Sequence, residues 1–336
     1  MSEEAMTDQG VLEAAGSSGF PTLNRAYNSV FRPGKLSIGL VVPLEAHANR
    51  PVADMDRHLE RAKLADDLGF ASLWLRDVPF NVPNFGDAGQ VFDPFVYLGL
   101  LSSATRRIGL GVASIILPLR HPAHVAKAAA SADQLSGGRL LLGVASGDRP
   151  EEYPAMNRAF HDRGERFRES LAYLRAMADD YPSHTGEHGS LSGTMDLLPK
   201  PVAGQIPVLI TGGSQQSPDW VAVNGDGWMT YPRDASSQAR LVADYRDRAE
   251  KAGVPDKPVM QSLYIDLVGE KGAEPRPIHL GFRSGVEFLR AYLRDLQGLG
   301  INHVALNLRF NTADVEDTMK RLADDLLTEF ETGEPR

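Results

Sequence analysis

RIGLGVASIILPLRHPAHVAKAAASADQLSGGRLLLGVASG, residues 107–147, holds a strand, a helix and a second strand in sequence. RIGLGVASII (107–116) is a short apolar run that reads as a strand. A helix follows from about Pro122 to Leu135 and ends at Gly137-Gly138, a glycine stop. RLLLGVA (139–145) is the next strand. Such a unit needs a crossover between parallel strands, and the right-handed crossover is the near-universal one.

The same alternation extends in both directions. Upstream, LSIGLVV (36–42) and ASLWL (71–75) read as strands. Between them Asp54 is expected to cap a helix whose one face carries Met55, Leu59, Ala62, Ala65 and Leu68, with Gly69 as its stop. A Pro/Asn/Gly loop covers 79–92, and Asp93-Pro94 caps a helix to about Thr105. Downstream, Phe167, Leu171, Leu174 and Met177 mark a helix. IPVLIT (206–211) is a strand, followed by a short helix after Ser217-Pro218. GWMTY (227–231), a strand near 258–268 and HVALNL (303–308) complete the strands. Helices are expected over about 236–252, 284–298 and 313–330. Eight strands and eight helices in alternation predict an α/β fold, a (β/α)8 TIM barrel with insertions. The rival is an open doubly wound sheet. That fold more often places GxGxxG after its first strand, whereas here the chain runs VVPLEAH (41–47). Residues 1–20 read as a disordered or loosely packed tail. Residues 21–336 read as a single domain with an inserted segment at about 180–205.

Composition narrows the chemistry. The chain has no cysteine, which excludes disulfides, cysteine zinc sites, iron–sulfur ligation and a thiol nucleophile. Net charge is −9, which argues against nucleic acid as the main partner. No apolar run approaches the length of a membrane span and the N-terminus has no secretory h-region, so a cytoplasmic location is expected. Nine histidines include no HxH and no HExxH, so no metal is expected.

In such a barrel the reactive groups lie on loops after the C-terminal ends of the strands. TGGSQQSPDW (211–220) carries Gly212, Gly213, Ser214 and Ser217 ahead of a helix start, a candidate phosphate cradle. The plainer reading is a turn plus a serine cap. ASGDRPEEY (145–153) offers Ala145, Ser146 and Gly147, small enough to admit a flat ring. Arg163 and Arg166 open the following helix, where a guanidinium can reach a phosphate or merely sit on the surface. Asp77 is a candidate acid, base or hydrogen-bond acceptor, or else a partner of Arg76. Arg120 and His121 follow strand three. Trp74, Trp228 and Tyr231 either line a pocket or belong to the core.

Residues 93–147, with the Asp-Pro helix, IGLG (108–111), LPLRHP (117–122) and ADQLSGGRLLLGVASG (132–147), resemble the bacterial luciferase-like flavin monooxygenase superfamily. IPVLITGGSQQSPDW and NGDGW, between 206 and 228, extend the likeness, which covers roughly 36–330. The resemblance implies reduced FMN at the barrel mouth, with Ala113 and Ser114 behind the flavin ring. It places Asp77, Ala145 and Ser146 near the ring or phosphate chain, and Gly213, Ser214, Ser217 and Arg166 on the phosphate. It favours Arg166 over Arg163. It further implies a small organic substrate oxidised with O2, a separate flavin reductase and a homodimer. The light-emitting relatives carry a His and a Cys where this chain has Val78 and Ala145, so their reaction is not implied. The catalytic base is left among Asp77, Arg120, His121 and Tyr231. Hydride transfer with the deazaflavin F420 is the near alternative, and a flavin-free hydrolase or binding protein the distant one.

Overall fold

The computed structural model describes residues 19–85 and 88–330. The tail expected over 1–20 therefore lies, as far as residue 18, outside the described residues. Eight parallel strands form a closed ring. They are β1 (Ser37–Val41), β2 (Ser72–Leu75), β3 (Gly109–Ile116), β4 (Leu140–Ala145), β5 (Val208–Thr211), β6 (Gly227–Thr230), β7 (Val259–Leu267) and β8 (His303–Asn307). Each pairs with its successor, and β8 returns to β1 in the register Ser37↔His303 to Leu40↔Leu306. That closure excludes the open sheet.

Among the described residues, ten α-helices accompany the strands: α1 (Arg25–Val30), α2 (His58–Leu68), α3 (Pro94–Ala104), α4 (Pro122–Ser136), α5 (Glu152–Ala155), α6 (Arg163–Ala176), α7 (Pro218–Asn224), α8 (Ala235–Lys251), α9 (Val286–Gly298) and α10 (Val315–Leu322). All but α1 and the short α5 supply the expected alternation. Local chemistry fixes their ends. The Asp93 carboxylate accepts from the Phe95 and Val96 amides, and the Ser217 hydroxyl from the Trp220 amide. Gly69 and Gly137 take the left-handed conformation that closes α2 and α4.

Asp54, however, does not cap α2. That helix starts after Arg57, and both Met55 and Arg57 have positive φ. Asp54 instead pairs with Arg50, while buried Glu45 accepts from the Asp54 and Met55 amides. The final helix is also shorter than expected. α10 ends at Leu322 and continues as one wider π turn over Ala323–Leu327. Among the described residues, two antiparallel hairpins decorate the ring. One (Ser183–Gly186 with Gly189–Ser192) occupies part of the expected excursion. The other (Arg276–Ile278 with Gly281–Ser284) lays its second strand parallel to β7.

The core has two layers, as the two-residue period of a strand demands. Outward residues such as Ile38, Leu73, Leu110, Leu142, Val208 and Val304 pack under the helices. Inward residues such as Trp74, Leu141, Leu209, Met229, Met260 and Ala305 fill the barrel. Glycine makes room for the largest of them. A Cβ at Gly111 would lie 2.2 Å from the Trp74 ring, and one at Gly39 would lie 2.3 Å from Ser72 Oγ and 2.8 Å from His303 Nε2. Trp74 is thus interior packing and not a pocket wall. Helix α1 plugs the N-terminal end of the barrel with Ala26, Tyr27, Val30 and Phe31, and Tyr27 donates to the Asp226 carbonyl at 2.7 Å. Beside the plug lies fully buried His303. The Trp74 indole donates to its Nε2 at 2.9 Å and Ser37 Oγ meets its Nδ1 at 2.7 Å. Ser37 in turn donates to the Val30 carbonyl, so its oxygen accepts from Nδ1–H. Burial pushes the pKa of this imidazole down to about 3, and the ring is neutral.

Candidate active site

The inward rows do not stop at the last interior layer. They run on to the C-terminal mouth, where Val41, Arg76, Ala113, Ala145, Thr211, Tyr231, Tyr264 and Asn307 line two adjoining cavities. The smaller has a volume of about 330 Å³ and the larger about 520 Å³. They share Arg76, Phe85, Ala113, Asp148 and Tyr231.

The smaller cavity has one wall without bulk. The β3–β4 ladder slips between Val112 and Ile115, so that Ala113 and Ser114, joined by a cis peptide bond, both reach the cavity. Ser114 Oγ and Thr211 Oγ1 are hydrogen-bonded across it. Ala145, Ser146 and Gly147 continue this surface. A Cβ on Gly147 would stand 2.7 Å from Ile116 and 3.0 Å from the Tyr153 hydroxyl, so the backbone there must be bare.

At the other end is the turn 212–216. Gly212, Ser214 and Gln215 all have positive φ. The Gly212 amide donates to Met229 and the Gln216 amide to Gly213. Among the described residues, the amides of Gly213, Ser214 and Gln215 between them have no partner. Successive unpaired amides on a left-handed turn form an anion-binding concavity. The turn is held rigid: Ser214 donates to the Thr211 carbonyl at 2.8 Å, and Gln216 donates to Gly164 at the start of α6 at 2.7 Å. Arg163, the first residue of α6, lies against the same cavity. Its Nη1 donates to the Phe160 carbonyl, while its buried Nε has no partner among the described residues.

The remaining sequence-derived candidates fall in different places. Ala113, Ser114, Ala145, Ser146, Gly213, Ser214, Asp77 and Tyr231 all line the smaller cavity. Ser217 does not; it caps α7. Arg166, favoured above over Arg163, turns to Asp162 at 3.0 Å and Glu187 at 3.9 Å and is not part of the lining. His121 caps α4 and sits in a ring cluster with His124, Tyr173 and His188, away from both cavities.

Asp77 is bound by Arg120, not by Arg76. The guanidinium grips both carboxylate oxygens, at 2.9 and 2.7 Å, and the Ile116 amide adds a third bond at 3.1 Å. Burial alone would lower the Arg120 pKa, but the bonds to Asp77 and Asp93 more than reverse this. Asp77 therefore ties Arg120 to the end of β3, with both carboxylate oxygens engaged. Tyr231 is half exposed, and its burial, with the charge of Asp148, raises its phenol pKa. It is a hydrogen donor at neutral pH. Among the described residues, no group of three or more His, Asp or Glu could hold a metal ion, and no helix is long and apolar enough to cross a membrane.

The sequence reading named neither Arg149 nor Phe85, although the Arg149 guanidinium lies 4.6 Å over the Phe85 ring at the mouth. It also missed Tyr264, His279, Arg309 and Phe310 of the larger cavity. The signal was present for Tyr264, which continues the inward period of β7.

Known proteins resemble this chain in sequence or share its barrel. An uncharacterised protein of Mycobacterium tuberculosis is 30% identical over 281 residues, covering 76% of this chain and 96% of that protein. A monooxygenase of Streptomyces bottropensis superposes with a TM-score of 0.73 at 20% identity, covering 88% of this chain and all of the other. An F420-dependent secondary alcohol dehydrogenase superposes with a TM-score of 0.71 at 19% identity, covering 87% and 98%. At those identities the two structures attest the shared barrel alone. The family profile for luciferase-like monooxygenases spans residues 36–333, from the first barrel strand to beyond the last helix. With the barrel and its mouth traced to the same residues, the chain belongs to the luciferase-like monooxygenase family.

Proposed function

We propose that the smaller cavity holds reduced FMN and that the protein is a flavin-dependent monooxygenase acting on a small organic substrate. The observation that carries this reading is the turn 212–216, with three unpaired amides, beside Arg163 and opposite a wall of Ala113, Ser114, Ala145 and Ser146. The amides and the guanidinium fit a phosphate, and the small residues leave room for a flat ring. When bound, reduced FMN would supply the electrons for work on O2, and a separate reductase would renew it. The chain's own residues bind, orient and shield. Arg163 and the amides of Gly213, Ser214 and Gln215 hold the anionic end. Asp77 and Arg120 fix the bulged end of β3, and with it the position of Ala113 and Ser114. Tyr231 offers a phenolic proton to whatever lies between the two cavities.

A second reading, F420 with hydride transfer, has one observation in its favour. F420 continues beyond its phosphate whereas FMN ends there. A further pocket of about 190 Å³, lined in part by Trp228, Tyr245 and Arg248, shares Gly212 and Gly213 with the cradle.

Anaerobic titration of the protein with reduced FMN and with F420, followed by oxygen uptake, tests the choice. Arg163→Gln is expected to weaken the preferred cofactor about 10- to 100-fold, the loss of a charged hydrogen bond. Arg166→Gln is expected to change affinity much less. Equal affinity of wild type and Arg163→Gln refutes the cradle, and binding of F420 alone refutes the FMN reading.

A further inference from the structure

The larger cavity differs in character from the cradle beside it. Three rings in mutual contact form one wall: Tyr264 and Phe310 with centroids 5.2 Å apart, Tyr264 and His279 at 5.6 Å, and His279 and Phe310 at 6.3 Å. Their planes are tilted by 53°, 59° and 69°, so no pair is stacked, and a flat guest can complete the cluster. Leu280 extends the wall from the tip of the hairpin 276–284, which the ladder with β7 holds in place. Two polar residues come from the inward rows of neighbouring strands. The register pairs Ala305 with Ser262 and Asn307 with Tyr264, so Ser262, Asn307 and one ring of the wall share a corner of the chamber. Asn307 is almost wholly buried, and its Oδ1 accepts from the Arg309 amide at 3.0 Å. Among the described residues, neither its Nδ2 nor the Ser262 hydroxyl has a hydrogen-bond partner. The Nδ2 group can only donate, and a buried donor without an acceptor is destabilising. The charged side chains of the lining are occupied or wet. Arg309 donates to the Arg50 carbonyl at 3.3 Å and lies 5.6 Å from the Phe310 centroid, Arg76 has partners of its own, and Asp148 is exposed to solvent. What a guest meets in the buried corner is therefore neutral.

A ring-walled chamber with a few converging polar groups is the usual form of a small-molecule site. We infer that this chamber takes a compound with a flat aromatic body and a neutral hydrogen-bond acceptor, an aryl carbonyl in its simplest form. The body lies on Tyr264, His279 and Phe310, and the acceptor oxygen takes a hydrogen bond from Asn307 Nδ2 with the Ser262 hydroxyl beside it. That this guest is the substrate rests on the cofactor reading of the smaller cavity, with which the chamber shares Ala113 and Tyr231. The ligand class rests on the chamber alone.

The test uses the full-length protein and equilibrium dialysis with four probes: 1-indanone, indane without the acceptor, octahydroinden-1-one without the aromatic ring, and indane-1-carboxylate with a charged acceptor. Wild type is expected to bind 1-indanone about fivefold tighter than the saturated ketone, through ring contact, and no more weakly than the carboxylate. Asn307→Leu removes the donor. It is expected to weaken 1-indanone about fivefold, the loss of one neutral hydrogen bond, and to leave indane no weaker. The carbonyl stretch of bound 1-indanone reads the same contact in wild type, where a variant's folding plays no part. It is expected at lower frequency than in an alkane solvent. Equal binding of the two ketones, tighter binding of the carboxylate, an Asn307→Leu effect that is absent or the same for indane, or a bound carbonyl at its alkane frequency overturns the inference. Anaerobic titration of the same samples with reduced FMN separates the two proposals. Probe discrimination without flavin binding refutes the monooxygenase reading only, and flavin binding without probe discrimination refutes the chamber assignment only.

Discussion

Replacing His303 should change how the barrel responds to acid. The imidazole is wholly enclosed between β1, β2 and β8, and its folded-state pKa of about 3 lies far below its ordinary 6.5. Between those two values the unfolded chain takes up a proton at this residue and the folded chain does not. Stability from this group is therefore complete above pH 6.5 and declines as pH falls toward 3. The linkage relation gives a loss of about 2 kcal/mol between pH 6.5 and pH 4.5 from His303 alone. Urea unfolding of wild type and His303→Gln at pH 6.5, 5.5 and 4.5 measures it. The variant loses the bonds to Trp74 and Ser37 and starts less stable. Because it cannot titrate at this position, the gap between the two proteins should narrow by about 2 kcal/mol over that range. Carboxylates common to both cancel in the difference. Parallel stability curves would refute the assignment of a neutral, acid-resistant ring at the base of the barrel.

Three further outcomes follow from the packing. Asp77→Asn should cost about 3 kcal/mol in urea unfolding, because it breaks a buried ion pair, and it should weaken cofactor binding through the displaced end of β3. A wild-type midpoint would show that Asp93 alone suffices to hold Arg120. Gly143→Ala should lower the melting temperature sharply or prevent soluble expression, since the new Cβ would stand 2.2 Å from the Val112 carbonyl oxygen; an unchanged melting curve rules out that close strand contact. Tyr27→Phe should cost about 1 kcal/mol by the same unfolding assay, through loss of the bond that fastens α1 to the barrel floor. No measurable loss would mean that the plug is held by its apolar face alone.

Much of the barrel was legible because its signals are local. Apolar runs, Asp93-Pro94, Ser217-Pro218, Gly69 and Gly137 each act within a turn of the chain, and each stands where it was read. The site was legible where it prolongs a strand: Ala113, Ala145 and Tyr231 follow from counting in twos past the core. What could not be read depends on distant partners. Arg163 and Arg166 are three residues apart on one helix. Asp162, one turn back, and the Glu187 carboxylate, brought in by the hairpin 183–192, together draw Arg166 aside. Asp54 looked like a cap, but Glu45 commands the amides around it. Helix α1 has too few residues to show a period, and its burial comes from the open end of a barrel formed by residues far downstream. His279 meets Tyr264 only because a hairpin pairs with β7, and Phe310 only because β8 does.

The Trp228 side chain joins two of these regions. Its indole N–H donates to the Gly212 carbonyl at 2.9 Å, on the turn that carries the three unpaired amides, and its ring stacks on Tyr245 of α8 at 5.1 Å. Trp74, by contrast, is sealed in the interior. Of the chain's three tryptophans, these two thereby have separate duties. Emission from Trp228 reports on the anion turn, and emission from Trp74 reports on the closed base. With Trp220 replaced by phenylalanine, occupancy of the mouth and integrity of the barrel can then be followed in one cuvette, with no label attached.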